Sequence, residues 1–266
     1  MKKTVKIIVS ILFGCIVGLG IYWKTNTIQK NAAAVKDHIP YGPYEAVLKR
    51  PLEIVLVLIL LFVLSPVFVI MAILVRIKLG APIIFLQKRA GLKEKIFYLY
   101  KFRSMTERCG KDGKLLSDEK RLTPFGKLIR QMSIDELPEL INILKGDMSM
   151  VGPRPLMAEY IPYYIKEEHH RHDVRPGLTG LAQVNGRSFL TWEEIFQYDL
   201  EYIKKITFMG DMRIIFQTLI KVCKRENVAD VTKGTIDKEG RVHIWVDGKE
   251  CILHQPLHVE REEKSV

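Results

Sequence analysis

Cysteine is scarce in this sequence, and acidic side chains are fewer than basic ones. The four cysteines among 266 residues lie far apart, so neither a zinc site nor a disulfide framework is indicated, and a reducing, cytosol-facing environment is the natural interpretation. The chain carries 30 Asp and Glu against 41 Lys and Arg, a formal net charge of +11. That excess suits anionic lipid headgroups, nucleotides or nucleic acid. No nucleic-acid-binding motif accompanies it, and no internal repeat is apparent.

Two long apolar runs lie in the first third of the chain, and the first occupies residues 4–23. It is long enough to span a bilayer. A signal peptide is the competing explanation, but the small residues at 32–34 lie far downstream of the run. We therefore predict an N-terminal transmembrane helix over residues 1–23 and a polar linker over 24–48. Basic residues are more numerous after this helix than before it, which places its C-terminal end in the cytoplasm.

The second apolar run, within residues 49–76, has basic residues at both ends. Lys49 and Arg50 precede it, and Arg76 and Lys78 close it. The positive-inside rule then wants both ends in the cytoplasm, which a straight span cannot satisfy. An ordinary proline-kinked transmembrane helix is the alternative, because the run contains Ser65 and Pro66 near its middle. The flanking charges favour a re-entrant membrane helix that breaks at Ser65-Pro66 and returns.

Residues 77–230 have the mixed pattern of a cytoplasmic α+β domain that is mostly helical. Strands are expected at 82–87 and 95–100, and helices near 123–130, 156–168, 191–205 and 211–226. The last of these helices is amphipathic with a cationic end, and we expect it to lie on the membrane surface. Residues 231–266 form a C-terminal extension. Its two apolar stretches around Asp247-Gly248 predict a β-hairpin with a two-residue turn.

The stretch around Asp135 and Glu136 carries the clearest chemical signal, because two adjacent carboxylates precede an apolar-periodic helix. A capping box formed by Ser133 and Glu136 is one interpretation, although Pro138 fits better if Asp135 is the N-cap. Either register puts both carboxylates at the positive end of a helix dipole, which favours their ionised form. A nucleophile or a Mg²⁺ ligand must be ionised. The pair alone leaves catalysis and capping open.

A Gly/Pro-fixed loop, residues 146–155, follows the acidic pair and carries an arginine. It is either a rigid nucleotide-contacting loop, which its nearness to the acidic pair favours, or a stiff connector. Guanidinium groups suit phosphate oxygens, so the candidate phosphate or nucleotide contacts are Lys101, Arg103, Arg154, Arg175 and Arg187. Each has the alternative of a structural ion pair or a lipid contact.

Several of these stretches, taken together and in order, resemble the bacterial sugar transferases, the monotopic phosphoglycosyl transferases that initiate glycan assembly on a polyprenyl phosphate. The resemblance covers residues 47–226 and leaves the first helix and the tail outside. It rests on Lys49-Arg50, Ser65-Pro66, KFRSM at 101–105, Asp135-Glu136-Leu137, GDMSMVGPRP at 146–155 and RPGLTGLAQVNGR at 175–187. Gly152 and Asn185, which lie within these motifs, complete the predicted substrate-binding set.

The resemblance implies transfer of a phosphosugar from a UDP-sugar to polyprenyl phosphate, with release of UMP and a requirement for Mg²⁺. Asp135 would attack the phosphate that bears the sugar and form a covalent intermediate, and Asp135 and Glu136 would both touch the metal. The expected partners are UDP-sugar, undecaprenyl phosphate and membrane lipids, with a homo-oligomer left open. The enzyme would sit at the cell membrane with its catalytic domain on the cytoplasmic face. A membrane-anchored basic lipid-binding protein and an inactive scaffold are the alternatives.

Overall fold

The structure is a computed structural model that describes residues 38–110, 113, 115–186, 190–224, 234–236, 242–246 and 249–252. The expected first transmembrane helix therefore lies outside the described residues. The described part of the chain is mostly helical with some strands. Its α-helices are α1 (Lys49–Lys78), α2 (Asp118–Arg121), α3 (Pro124–Gln131), α4 (Glu139–Lys145), α5 (Leu181–Asn185), α6 (Trp192–Lys204) and α7 (Phe208–Lys224).

The strands form small sheets rather than one continuous layer. They are β1 (Ile84–Ala90), β2 (Ile96–Phe102), β3 (Ser149–Val151), β4 (Gly177–Thr179), β5 (Gly234–Ile236), β6 (Val242–Val246) and β7 (Lys249–Ile252). The first two strands pair antiparallel, β3 and β4 pair parallel, and the last three form an antiparallel meander in the order β5-β6-β7. The β6–β7 pair occupies the segment where the sequence predicts a hairpin.

The long helix α1 is apolar enough to cross a membrane by length and composition. A π-helical turn, Tyr44–Leu48, leads directly into it, so helical structure begins inside the predicted linker. Phe62 and Val63, near the middle of α1, have exposed fractions of 82% and 62%. Such exposed apolar side chains favour a lipid environment for this part of the helix.

The Ser65-Pro66 step does not interrupt the helical assignment of α1. Pro66 has no N–H, so the carbonyl of Phe62, four residues earlier, loses its usual intrahelical donor. The Ser65 hydroxyl donates to that same carbonyl at 2.8 Å. The serine thus satisfies the group that the proline leaves open, which explains how a proline is tolerated in the middle of an apolar helix.

Polar side chains at the start of α1 fix this helix to the rest of the domain. Lys49 Nζ donates to the Val151 carbonyl at 3.1 Å, and Arg50 Nη1 donates to the Met148 carbonyl at 3.2 Å. A carboxylate oxygen of Glu53 accepts the Met150 amide at 3.0 Å. The base of α1 is therefore hydrogen-bonded to β3 and to the residue that precedes this strand.

The main core lies between α1, β2, α4, α6 and α7. Its fully buried side chains include Val57, Leu99, Ile143 and Met148. A second cluster joins the later part of α1 to β2 and α3, and the rings of Phe68 and Phe102 meet there at 5.8 Å.

Two local expectations differ from the structure. The segment 156–168 is not one α-helix but holds a 3₁₀ helix, Ala158–Tyr163, and the start of a second one, Glu168–His172. Pro162 lies inside the first and cannot donate an α-helical hydrogen bond there. The helix after the acidic pair begins at Glu139, with Pro138 in the N-cap position.

Candidate active site

Asp135 and Glu136 lie in a 3₁₀ turn, Ile134–Glu136, that precedes α4. Ser133 enters this turn in the left-handed conformation, with φ +53°, and its side chain caps nothing. The expectations of a capping box and of Asp135 as the N-cap of the helix are therefore both wrong. The turn ends at Glu136, two residues before Pro138, and Leu137 between them keeps helical backbone angles. The capping interpretation no longer competes with a chemical role.

One asparagine aligns the acidic pair with strand β2. The Asn142 side chain, on α4, accepts the Tyr100 amide at 3.0 Å and donates to the Tyr98 carbonyl at 2.8 Å. It thus pairs with β2 as a neighbouring strand would. This contact sets α4 beside β2 and brings the next strand residue, Lys101, to the turn that holds the two carboxylates.

Lys101 and Arg154 converge on a single oxygen of Glu136. Lys101 Nζ lies 2.7 Å from Glu136 Oε1, and Arg154 Nη2 lies 2.6 Å from the same atom. Lys101 also lies 3.3 Å from Oε1 of Glu139, in the first turn of α4. Three carboxylates from one short stretch, residues 135–139, therefore lie beside two cations that come from distant parts of the chain.

Glycines allow the loop of Arg154 to pack closely against β4. A Cβ on Gly152 would overlap the carbonyl of Arg175, and one on Gly180 would overlap the carbonyl of Gly152. The amides of Gly152 and Gly177 donate across this contact, to Thr179 and to Pro153 respectively, both at 2.9 Å. Gly152, which the sequence places among the substrate-binding residues, thus has a packing reason for lacking a side chain.

The two adjacent carboxylates have opposite electrostatic surroundings. Burial raises the pKa of Glu136, but Arg154 and Lys101 outweigh it and hold that pKa well below its ordinary value. Burial and the neighbouring Glu136 charge raise the pKa of Asp135 to about 6. Among the described residues, Asp135 makes no hydrogen bond or ion pair, although it is only 7% exposed. One carboxylate is engaged by cations, and the other is left unengaged.

The third carboxylate, Glu139, was not singled out from the sequence, although it stands in the same acidic stretch. It is 2% exposed, and its Oε1 has no hydrogen-bond partner among the described residues. Burial raises its pKa to about 7. Lys101 thus serves two carboxylates, and the pKa of its ammonium group is raised by Glu136 and Glu139 even though burial opposes the charge.

The other predicted phosphate contacts lie elsewhere or are already engaged. Arg103 donates to the Met105 carbonyl at 2.9 Å and to the Ala81 carbonyl, and it pairs with a carboxylate of the following loop. Arg175 donates to the Gly146 carbonyl at 3.0 Å, at the end of α4 opposite to the acidic pair. The Asn185 amide bonds within its own helix, and Arg187 lies outside the described residues.

Further basic residues near the acidic pair were missed as candidates. The charge of Arg130, on α3, opposes the rise in the pKa of Asp135, and its Nε donates to Ser104 Oγ at 2.8 Å. Arg89, on β1, donates to the Pro155 carbonyl at 3.1 Å. Arg171 donates to the carbonyl of Arg154 at 2.8 Å. No spacing rule links these residues to the pair, since they come from three separate elements.

The carboxylates present suit a Mg²⁺ ion that the substrate helps to hold. Among the described residues, no group of three or more His, Cys, Asp or Glu side chains is arranged for a metal. Magnesium commonly uses one or two carboxylates together with water and substrate phosphates. The unengaged carboxylate of Asp135 meets that requirement, and the contacts of Glu136 with Lys101 and Arg154 use only its Oε1.

This arrangement, an acidic pair held beside two cations in a domain with a long apolar helix, is typical of an enzyme acting on phosphate groups. The family model of the bacterial sugar transferases matches residues 44–225, and the chain belongs to that family. The uncharacterised sugar transferase EpsL of Bacillus subtilis is 44% identical over 192 residues, which are 72% of this chain and 95% of EpsL.

Two further relatives have more specific names. The UDP-glucose:undecaprenyl-phosphate glucose-1-phosphate transferase of Xanthomonas campestris pv. campestris is 38% identical over 190 residues, 67% of this chain and 39% of the relative. The undecaprenyl-phosphate galactose phosphotransferase of Salmonella typhimurium is 36% identical over 197 residues, 67% of this chain and 41% of the relative. The chain thus spans less than half the length of these two relatives.

Proposed function

We propose that this protein transfers a phosphosugar from a UDP-sugar to undecaprenyl phosphate, with release of UMP, as the first membrane step of polysaccharide or glycoconjugate synthesis. The observation that carries the proposal is the unequal treatment of the acidic pair: Glu136 is held by Lys101 and Arg154, whereas Asp135 is buried and unengaged. The relatives named for UDP-sugar or undecaprenyl-phosphate chemistry support the choice of substrates.

The reaction divides into two displacements at one phosphorus atom. An oxygen of Asp135 attacks the phosphate that bears the sugar, and the bond from that phosphorus to the bridging oxygen breaks, so that UMP leaves with the bond electrons. The result is an acyl phosphate that joins Asp135 to the phosphosugar. An oxygen of undecaprenyl phosphate then attacks the same phosphorus and releases the Asp135 carboxylate. Two steps allow a soluble donor and a membrane-bound acceptor to use the site in turn.

The basic residues around the pair stabilise the phosphate charge during both steps. Lys101 and Arg154 share Oε1 of Glu136, which fixes their cationic groups beside Asp135. A guanidinium fork positioned in this way suits the equatorial oxygens of a transferring phosphoryl group. Glu136 therefore acts as the residue that orients the two cations. Asp135 and Oε2 of Glu136 would hold Mg²⁺, which supplies charge neutralisation on the phosphate oxygens when bound.

The membrane arrangement that fits this chemistry is a re-entrant α1, with the catalytic domain on the cytoplasmic face. Arg50 and Phe68 both contact the same domain, through the Met148 carbonyl and the Phe102 ring. In a straight helix these two residues would be about 27 Å apart, close to the thickness of the hydrocarbon core. A straight transmembrane helix would carry Phe68 across the bilayer and away from a domain bound at Arg50. Contacts before and after Ser65-Pro66 therefore support a return to the same side.

The test is an intact-mass measurement on purified protein with Mg²⁺ and a panel of UDP-sugars, without polyprenyl phosphate. We expect a mass increase equal to one phosphosugar with the preferred donor, which also identifies the sugar. Asp135→Asn is expected to show no adduct, while membrane binding is retained. Glu139→Gln is the comparison variant: it alters a neighbouring buried carboxyl that also pairs with Lys101 but leaves the nucleophile in place, so an adduct should still form.

Other outcomes separate the alternatives. UMP release that requires added undecaprenyl phosphate, without any adduct, would support the enzyme but contradict the covalent step. A protein that binds vesicles and shows neither adduct nor UMP release with any donor would favour the lipid-binding or scaffold alternatives.

A further inference from the structure

The loop that carries Arg154 has its backbone fixed at four consecutive carbonyls. All the carbonyl oxygens of residues 153–156 accept hydrogen bonds. Two donors are backbone amides, of Gly177 at 2.9 Å and of Ala90 at 3.2 Å. The other two are side chains, Arg171 at 2.8 Å and Arg89 at 3.1 Å. Two arginines, one buried and one partly buried, thus donate hydrogen bonds to the backbone of the loop that carries Arg154.

Arg171 is the more deeply buried of the two, with a side chain 1% exposed. Its Nη2 donates both to the carbonyl of Arg154 at 2.8 Å and to Asp199 at 2.7 Å, and its Nε lies 3.1 Å from the same Asp199 oxygen. Nη1 donates to the Tyr164 hydroxyl at 3.3 Å. The planar guanidinium therefore links helix α6, through Asp199, to the backbone of Arg154.

A purely structural role leaves this arrangement unexplained. The cluster around Arg171 is aromatic, with its guanidinium 5.4 Å from the ring of Phe196, and a buried ion pair is often no more stabilising than apolar side chains of similar volume. What an apolar residue cannot supply is a donor for the carbonyl of Arg154. The carbonyls of Arg154 and of Pro155, which follows it, receive their donors from the side chains of Arg171 and Arg89.

Arg89 serves the loop from the opposite side. Its Nη1 bonds the Pro155 carbonyl, and its Nη2 donates to the Gln87 side chain at 2.6 Å. Within the part of the chain that the structure describes, no carboxylate lies within ion-pair distance of Arg89. Its charge is therefore not used in an ion pair, and its geometric function is the loop contact.

We propose that Arg171 and Arg89 are positioning residues that hold the backbone at Arg154 and Pro155, so that the Arg154 guanidinium stays on Glu136 and beside the nucleophile. The inference rests on the proposed function, in which Arg154 stabilises the phosphate of the nucleotide sugar. The two arginines act through Arg154 and touch no reacting atom. Loss of either should therefore resemble a partial loss of Arg154.

The experiment compares Arg171→Lys with Tyr164→Phe, using the UDP-sugar that the parent protein accepts. A lysine can still pair with Asp199 but lacks the fork that reaches the Arg154 carbonyl at the same time. We expect kcat/KM for the donor to fall about 10-fold to 100-fold, the cost of a misplaced catalytic group, and KM to rise within that change because Arg154 also binds the donor phosphate before reaction. The control removes another hydrogen bond of the same arginine and leaves the loop contact, so its KM should stay unchanged. A folding defect alone would reduce the fraction of active protein, which lowers the apparent kcat and leaves KM unchanged.

Two more measurements complete the test. The double variant of Arg171→Lys with Arg154→Lys should be no worse than Arg154→Lys alone, because both changes act on one interaction. Hydrogen exchange of the Gly177 amide, which donates to the loop, should be faster in Arg171→Lys and in Arg89→Lys than in Tyr164→Phe. If Arg171→Lys does not fold, Arg89→Lys takes its place in both measurements.

An unchanged donor KM with unchanged Gly177 exchange would overturn the proposal, and so would strictly additive effects with the Arg154 variant. Parent protein that turns over no UDP-sugar would count against the proposed function instead. The exchange measurement would then decide the positioning role alone, since it needs no activity.

Discussion

Replacement of Asp135 by asparagine should make the protein more stable while it abolishes turnover. The pKa of Asp135 is raised from 3.8 to about 6, chiefly by burial. The folded state therefore prefers the protonated carboxyl, and its ionisation costs stability. That cost is complete above about pH 6 and disappears below about pH 4. Asparagine keeps the shape, carries no charge, and breaks no hydrogen bond among the described residues.

The size of the effect follows from the shift. A shift of about two pKa units corresponds to about 3 kcal/mol, at 1.36 kcal/mol per unit. For a domain of this size, 1 kcal/mol moves Tm by about 2–4 °C, so the variant should melt about 6–12 °C higher at pH 8. The basic neighbours Lys101, Arg130 and Arg154 already oppose the rise in the pKa of Asp135. The value of about 6 for the pKa of Asp135 already includes the effect of these three cations.

The assay is thermal unfolding followed by tryptophan fluorescence, with EDTA present, at pH 8 and at pH 5. Trp192 is 4% exposed and packs on Phe196, so its emission reports loss of the aromatic cluster that these two residues form with Tyr160 and Tyr164. We expect the difference in Tm to shrink towards pH 5. Added Mg²⁺ should also reduce it, because the metal stabilises only the ionised carboxylate of the parent.

Two results would refute this reasoning. Asp135→Asn with a Tm equal to or lower than that of the parent at pH 8 would show that the buried charge carries no cost. A gain of the same size at both pH values would show that packing, and not ionisation, is responsible. Glu136→Gln is the contrasting variant: its pKa lies below the ordinary value, so removing its charge should destabilise the protein at pH 8.

Three further predictions concern the site and the membrane helix. Glu136→Gln should lower kcat about 100-fold by releasing Lys101 and Arg154. It should also move the acid limb of the pH–rate profile to lower pH, since the Glu136 charge raises the pKa of Asp135. An acid limb at the same pH as in the parent would contradict this electrostatic coupling. Gly152→Ala should destabilise the protein by about 2 kcal/mol or more in denaturant unfolding, because its Cβ meets backbone atoms, and a neutral result would contradict that packing. In a cysteine-free background, single cysteines at positions 51 and 77 should be labelled from the same side of sealed vesicles, and labelling from opposite sides would exclude a re-entrant α1.

The sequence was informative where the signal is local. The acidic pair, the apolar runs and the strands β1 and β2 are all visible as short patterns, because burial imposes a period on neighbouring residues. Lys101 could be chosen for its residue type and motif. Its position in the site is set by Asn142, a residue of α4 whose side chain hydrogen-bonds to the backbone of β2. A side chain that takes the place of a neighbouring strand produces no periodic pattern in the sequence, so this contact could not be predicted.

Arg103 shows why the remaining candidates were harder to judge. It lies two residues after Lys101, so strand alternation predicts the same face. Its guanidinium nevertheless bonds the carbonyls of Ala81 and Met105. The sequence could not distinguish it from Arg154, because both are arginines in motif positions. Only the three-dimensional surroundings decide whether the N–H donors of an arginine bond backbone carbonyls or remain available to a phosphate.

The contacts of β3 bear on how one site would serve the proposed soluble donor and membrane acceptor. The Val151 carbonyl accepts hydrogen bonds from Lys49 at 3.1 Å and from the Tyr202 hydroxyl at 3.0 Å. Lys49 is the first residue of α1, and Val151 directly precedes the loop that leads to Arg154. The loop is thus fixed at one end to the base of α1 and along its length by Arg89 and Arg171. In the proposed membrane arrangement the base of α1 would lie at the bilayer surface, and this connection would then hold the Arg154 guanidinium at a fixed height above the lipid. An acceptor phosphate held at the membrane surface would then meet the same cation that the donor phosphate used.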